Sequence, residues 1–193
     1  SPKRLFWICA LLLILIVAGG GCGFISATLS NLPDVSNVRP SASSQIYDVH
    51  GNLITTFHST ENRLPVPLKD VPKDLQNAFV ATEDSRFYSH HGIDPVGILR
   101  AVWVNLVHSG VSEGGSTITQ QLARNAFLSQ DRTFKRKISE ALLALKIEQH
   151  YTKDEILEMY MNQIYFGQGA YGVQSAAHVY FGKDASQLTL AQA

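Results

Sequence analysis

Apolar residues recur at helical spacing through most of this chain, and capping residues mark where each run begins and ends. From Val71 onward, Leu75, Ala78, Phe79 and Val80 predict a helix that ends at the adjacent acids Glu83 and Asp84 and is left through Ser85. Asp94-Pro95 pairs a capping side chain with proline at the first helical position. The helix that follows is expected to bury Val96, Leu99, Val102, Trp103 and Leu106 and to stop at Gly110. Thr117-Ile118-Thr119-Gln120 fits a capping box opening a helix through Ala126 or beyond, and another helix runs from about Thr133 to His150. A second box, Thr152-Lys153-Asp154-Glu155, opens a helix that buries Ile156, Leu157, Tyr160, Met161 and Ile164. Gly167-Gln168-Gly169-Ala170 breaks it, and a last helix spans about Gly172 to Tyr180.

Other periods occupy the first third. Gln45-Ile46-Tyr47 and Leu53-Ile54-Thr55-Thr56-Phe57, around a turn with Asp48, His50, Gly51 and Asn52, predict a β-hairpin. Before it, Ala27 to Ser44 is rich in Ser, Asn and Pro and reads as a linker. Leu5 to Ile25 has no charged residue and is long enough to span a bilayer as a helix. Lys3 and Arg4 precede it, which puts the N-terminus in the cytoplasm and the remainder outside. A cleaved signal peptide, favoured by Ala18 to Gly21, and a lipoprotein signal ending at Cys22 are the alternatives to an uncleaved anchor. Three parts follow: an anchor over 1–26, a linker and hairpin stalk over 27–70, and a mainly α domain over 71–193.

Composition narrows the chemistry. The formal net charge of zero argues against a nucleic-acid partner, and 45% hydrophobic residues suffice for a packed core. Both cysteines, Cys9 and Cys22, lie in the anchor, so the rest can hold neither a disulfide nor a cysteine-based metal site. The histidines show no zinc-ligand spacing, and His90 and His91 read as loop structure.

Three clusters remain. Glu83 lies at the end of a packed helix, half out of water, where general acid/base work becomes possible; the plain alternative is an exposed acidic terminus. Glu140 sits inside a helix that is apolar nearly all round, with Arg136 and Lys137 one turn before it on the same face. That is either a structural ion pair or an acid–base cluster facing a substrate charge. Gly114-Gly115-Ser116-Thr117 opens a helix carrying Gln121, Arg124 and Asn125, suited to an anion or to sugar hydroxyls, or simply a well-capped surface helix. It is neither a P-loop nor a nucleophile elbow.

Taken together, these residues resemble the peptidoglycan glycosyltransferase domain of class A penicillin-binding proteins and their monofunctional relatives. The matching segments are Glu83-Asp84-x-x-Phe87-x-x-His90-x-Gly92, Gly115-Ser116-Thr117-Ile118-Thr119-Gln120-Gln121-Leu122-x-Arg124-Asn125, Arg136-Lys137-x-x-Glu140, and Lys153-x-x-Ile156-Leu157-Glu158-x-Tyr160-x-Asn162. A fifth segment begins at Leu188 and breaks off at Ala193, so the domain is read as C-terminally truncated. No Ser-x-x-Lys occurs, so the transpeptidase signature is absent from this sequence, and the hairpin resembles the stalk of bifunctional members.

The resemblance implies a lysozyme-like helical fold outside the bacterial plasma membrane. It also implies polymerisation of lipid II into β-1,4 glycan strands with release of undecaprenyl pyrophosphate, and inhibition by moenomycin-like phosphoglycolipids. On this reading Glu83 is the base that deprotonates the acceptor 4-hydroxyl. Arg124, Arg136 and Lys137 offset charge on the departing pyrophosphate, and Glu140 organises those cations or a divalent ion, Mg2+ or Mn2+, beside it. Ser116, Thr117, Gln121 and Asn125 bind sugar or phosphate, while Phe87 and His90 shape the site. No organic cofactor is implied. The implied partners are lipid II, the growing glycan chain, the bilayer, and cell-wall synthesis and division proteins. Arg124 stands where lysine is common in the family, a planar fork in place of a compact ammonium. A glycan hydrolase or lytic transglycosylase and a non-enzymatic cell-wall scaffold are the competing readings.

Overall fold

The structure, a computed structural model, describes residues 23, 26–36, 44–51, 53–57, 62–107, 114–128, 131 and 133–193. The expected anchor at Leu5 to Ile25 lies, apart from Gly23, outside the described residues, as does most of the glycine loop after Ser109. Among the described residues no helix is long and apolar enough to cross a membrane. The chain divides into two units, Ser1–Asp34 and Val35–Ala193. In the first, residues 26–30 are helical, and Ser30 Oγ and Asn31 Nδ2 both donate to the Ala27 carbonyl.

The second unit begins with the expected hairpin: β1 (Ser44–Tyr47) pairs antiparallel with β2 (Leu53–Phe57), with a register shift between Ile46 and Tyr47. Residues 62–70 are fastened to the helices. β3 (Asn62–Arg63) pairs in parallel with β4 (Ala170–Tyr171). Beyond it, Leu64 N donates to Ser175 Oγ at 3.0 Å, Val66 N to Asn162 Oδ1 at 2.9 Å and Leu68 N to Glu158 Oε2 at 2.7 Å. Leu64 and Val66 lie in an extended segment with no full sheet to pair with and Leu68 opens a 3-10 turn, so polar side chains of the helices satisfy these amides.

Among the described residues six α-helices follow: α1 (Lys73–Glu83), α2 (Pro95–Val107), α3 (Ile118–Phe127), α4 (Phe134–His150), α5 (Lys153–Gln163) and α6 (Val173–Phe181). Both anticipated capping boxes form, Thr117 with Gln120 and Thr152 with Glu155. α3 packs on α4 and α5 to make the core, where Ile118, Leu122, Leu143, Ile147, Ile156, Leu157 and Tyr160 lose all contact with water. Two glycines permit close backbone approaches. Gly92 (φ +85°) lies so near α4 that an added Cβ would meet the Ala144 carbonyl at 2.9 Å, and Gly172 (φ +84°) lies against the Asn162 carbonyl at 2.8 Å.

Two expectations of burial fail: Ile164 is half-buried just beyond the end of α5, and α2 is open. The apolar residues of α2 are not buried: Leu99 and Trp103 are each 70% exposed and Leu106 is 73% exposed, with Val96 and Val102 also open. Only Gly97 and Ala101 of this helix are buried. Helical periodicity identifies the apolar side of a helix but not what covers it, and here the small residues face the protein. α2 is held at its start by Asp94, whose Oδ1 accepts from Val96 N at 3.1 Å and whose Oδ2 takes Arg86 Nε at 3.1 Å. Burial opposes ionisation of Asp94, but the Gly97 and Val96 amides and the Arg86 and His90 charges outweigh it and hold the carboxyl below its usual range.

The approach at Gly172 yields a stability prediction. Gly172→Ala combines a left-handed backbone with a clash against Asn162, and should lower the unfolding free energy by about 2 kcal/mol. Thermal denaturation of the purified protein checks this, and an unchanged midpoint would contradict the geometry.

Candidate active site

Glu83 ends α1 with its side chain exposed, at the edge of a cleft of about 740 Å³. Ser116, just before α3, and Gln121 and Arg124 along it line the same cleft, as do Gly114 and, from α2, Arg100. Four residues singled out from sequence thus converge. Arg100 is an addition; lying alone in an apolar helix, it carried no motif that would have marked it. Gln121 is already engaged: its Nε2 donates to Glu83 Oε2 at 2.8 Å.

The loop that follows Glu83 is fixed from below. Asp84 Oδ2 accepts the Ile118 amide at 3.0 Å, at the N-terminus of α3, where backbone amides point outward and favour a negative group. His90 Nε2 lies 3.0 and 2.9 Å from the two Asp84 oxygens. Thr117 Oγ1 donates to the Gly92 carbonyl at 2.7 Å while also capping α3. Phe87 is fully buried beneath the loop, with Lys153 Nζ 4.5 Å from its ring centroid and Tyr88 and His90 edge-on to it. Phe87 and His90, expected to shape the site, and Thr117, expected to bind sugar or phosphate, are all buried and bonded within the protein and support the loop from beneath. Asp84, read from sequence only as a neighbour of Glu83, is the residue that ties this support together.

Glu140 is 1% exposed and does not line the cleft. Arg136 Nη1 pairs with its Oε1, and Lys137 Nζ lies 2.9 Å from its Oε2. The side chain of Lys137 is 47% exposed and reaches onward, donating to Ser116 Oγ at 2.7 Å. A buried acid therefore holds two cations, and one of them touches the rim of the cleft through Ser116. A smaller hollow of about 270 Å³ puts Lys137 and Ser116 opposite Ile98, Ala101 and Val102 of α2. Asn125 is exposed and outside the cleft lining.

A divalent ion at Glu140 does not fit this arrangement. Both carboxylate oxygens are taken by cations, and among the described residues no group of three His, Cys, Asp or Glu side chains could hold a metal.

Residues 50–193 match the family model described as Transglycosylase. The chain belongs to the transglycosylase family. It is 53% identical over 190 residues to penicillin-binding protein 1A of Escherichia coli (strain K12), covering 97% of this chain and 22% of that protein. Against penicillin-binding protein 1F of Bacillus subtilis (strain 168) it is 50% identical over 151 residues, 78% of this chain and 21% of the relative. Against penicillin-binding protein 1A of Aquifex aeolicus (strain VF5) the figures are 49% over 173 residues, 88% and 24%. The chain therefore spans about a fifth to a quarter of the length of these relatives. As in the rest of the transglycosylase family match, the glutamates, the capped α3 and the Arg136–Lys137–Glu140 helix all fall inside the matched residues.

Removing a cation from a buried acid is costly. Arg136→Met, which leaves Glu140 with Lys137 alone, should lower the unfolding free energy by about 3 kcal/mol. Chemical denaturation monitored by circular dichroism would read it, and a loss within error of zero would show that Glu140 reaches water.

Proposed function

We propose that this domain polymerises lipid II, joining disaccharide-pentapeptide units into β-1,4 glycan strands and releasing undecaprenyl pyrophosphate. The observation that carries the reading is a single exposed carboxylate, Glu83, opposite guanidinium groups in one cleft, with Lys137 fixed at its rim. Glu83 takes the proton of the acceptor sugar's 4-hydroxyl. The freed oxygen attacks the donor's anomeric carbon with inversion. The bond from that carbon to the pyrophosphate oxygen breaks, and its electron pair leaves with the pyrophosphate. Arg124 and Lys137 stabilise the charge that develops on the leaving group, where preorganised cations act most strongly. Glu140 contributes by fixing Arg136 and Lys137 in place.

Most glycan hydrolases place a second carboxyl group across the bond being cut, and none needs a cationic pocket for a pyrophosphate. Among the described residues that line the cleft, Glu83 is the only acid, and Glu140 is buried between two cations. That distribution supports the synthase over the hydrolase.

The location of the substrate fits the same proposal. A lipid-linked donor stays in the bilayer, so the open apolar side of α2, beside the Lys137 hollow, is read as lying against lipid, with the segment at Leu5 to Ile25 as anchor and the domain on the extracytoplasmic side. A lysozyme-like arrangement of the helices, the division of the chain into anchor, stalk and catalytic domain, and attachment to a larger bifunctional protein belong to the same reading. So do inhibition by moenomycin-like phosphoglycolipids and contacts with cell-wall synthesis and division proteins.

Two measurements test it. Glu83→Gln should reduce lipid II polymerisation by at least about 100-fold with little change in thermal stability. Shortening of purified glycan without growth of new strands would favour the hydrolase, and polymerisation unaffected by the substitution would favour a scaffold. In a Trp7→Phe background, the fluorescence of Trp103 should shift to the blue when lipid vesicles are added and be quenched by brominated acyl chains. Emission unmoved by vesicles would place α2 in water.

A further inference from the structure

Tyr160 lies on α5, and its side chain is fully buried in the core. Its hydroxyl donates to Gln121 Oε1 at 3.1 Å, and Gln121 Nε2 donates in turn to Glu83 Oε2 at 2.8 Å. A continuous chain of two hydrogen bonds thus joins the middle of the core to the exposed acid. The ring of Tyr160 is held independently by the edge of Phe79, at 6.0 Å between centroids. Phe79 lies one turn before Glu83 on the same face of α1.

The polarity of this chain matters because an amide side chain has two ends of opposite character. With its NH2 toward Glu83, Gln121 supports a carboxylate, which is the form a base must have. Rotated by half a turn it would present its carbonyl oxygen, which repels a carboxylate and instead accepts a bond from the protonated acid. A half-exposed glutamine is free to choose. A buried phenol biases the choice, because its O–H donates to the carbonyl oxygen and would lose that acceptor if the NH2 faced it. Burial first, and the nearby Glu83 charge second, push the Tyr160 hydroxyl well above its ordinary pKa despite the opposing effect of Arg124, so it stays a donor at any working pH.

We infer that Tyr160 is a positioning residue for the transfer reaction, acting through Gln121 to keep an amide donor, and never an amide acceptor, on the Glu83 carboxylate. The inference rests on Glu83 being the base of the proposed polymerisation. It assigns Gln121 a fixed structural face toward Tyr160 where sequence pointed to a substrate contact alone. The contribution falls on turnover and not on substrate affinity, because Tyr160 has no access to the cleft.

The test is a double-mutant cycle on the full chain, assayed with lipid II in detergent micelles. Tyr160→Phe keeps the ring and its packing on Phe79 and should lower kcat roughly tenfold with KM within about twofold of the parent. Gln121→Met keeps side-chain volume and should show a comparable or larger fall in kcat. In the Gln121→Met background, adding Tyr160→Phe should produce no further loss, since the hydroxyl then has nothing to act through. Thermal denaturation of each variant separates lost turnover from lost folding. A Tyr160→Phe enzyme with parental kcat, or a fall that multiplies fully onto that of Gln121→Met, overturns this inference alone. Normal polymerisation by Glu83→Gln overturns the functional reading and this inference with it.

Discussion

The Asp84 carboxylate is the point on which the site depends. It accepts the Ile118 amide at the start of α3 and meets His90 with both oxygens, all out of water. A buried acid needs such partners, and the amide end of a helix is one of the few places in a core that supplies them. The consequence is geometric. The residue next to Glu83 is locked to the helix that carries Gln121 and Arg124, so the acid and its facing groups belong to one rigid piece. Thr117 adds a second tie from the same helix to Gly92, and Gly92 is pressed against α4. Loop, α3 and α4 are thereby fixed as a unit before any substrate arrives.

The two glutamates divide the work by environment. Glu83 stands at a helix end, exposed to water, with the Gln121 amide on it. Glu140 stands inside α4 with a cation on each oxygen, and its role is to hold Arg136 and Lys137 where flexible side chains would otherwise roam. Ordering a long cationic side chain has an entropic cost, and an acid already in the core meets it during folding and not during turnover.

The exposed apolar side of α2 follows from size. α2 turns Gly97 and Ala101 inward, which lets its backbone lie close to Asp94 and Gly115, and the larger apolar residues are left outward. A helix fixed at one end by a capping acid and otherwise lightly packed presents its apolar side to whatever lies beyond the protein. With Lys137 and Ser116 across a hollow from that side, an apolar surface and a cation adjoin. That pairing matches a phosphate carried on a hydrocarbon.

Much was legible in the chain itself. Local rules placed the helices: capping boxes at Thr117 and Thr152, proline at Pro95, and glycine after α5 and α6 all act within a few residues, so the sequence states them directly. The buried position of Glu140 and its two cations was also readable, because residues three and four apart on a helix must be neighbours. The tertiary structure decided the rest. Whether α2 is covered, that residues 62–70 are fastened to α5 and α6, that Phe87 and His90 support and do not contact, and that Tyr160 reaches Glu83 through Gln121 depend on residues dozens of positions apart. Spacing along a helix determines which way a side chain points; only the packing of one helix on another determines what it meets there.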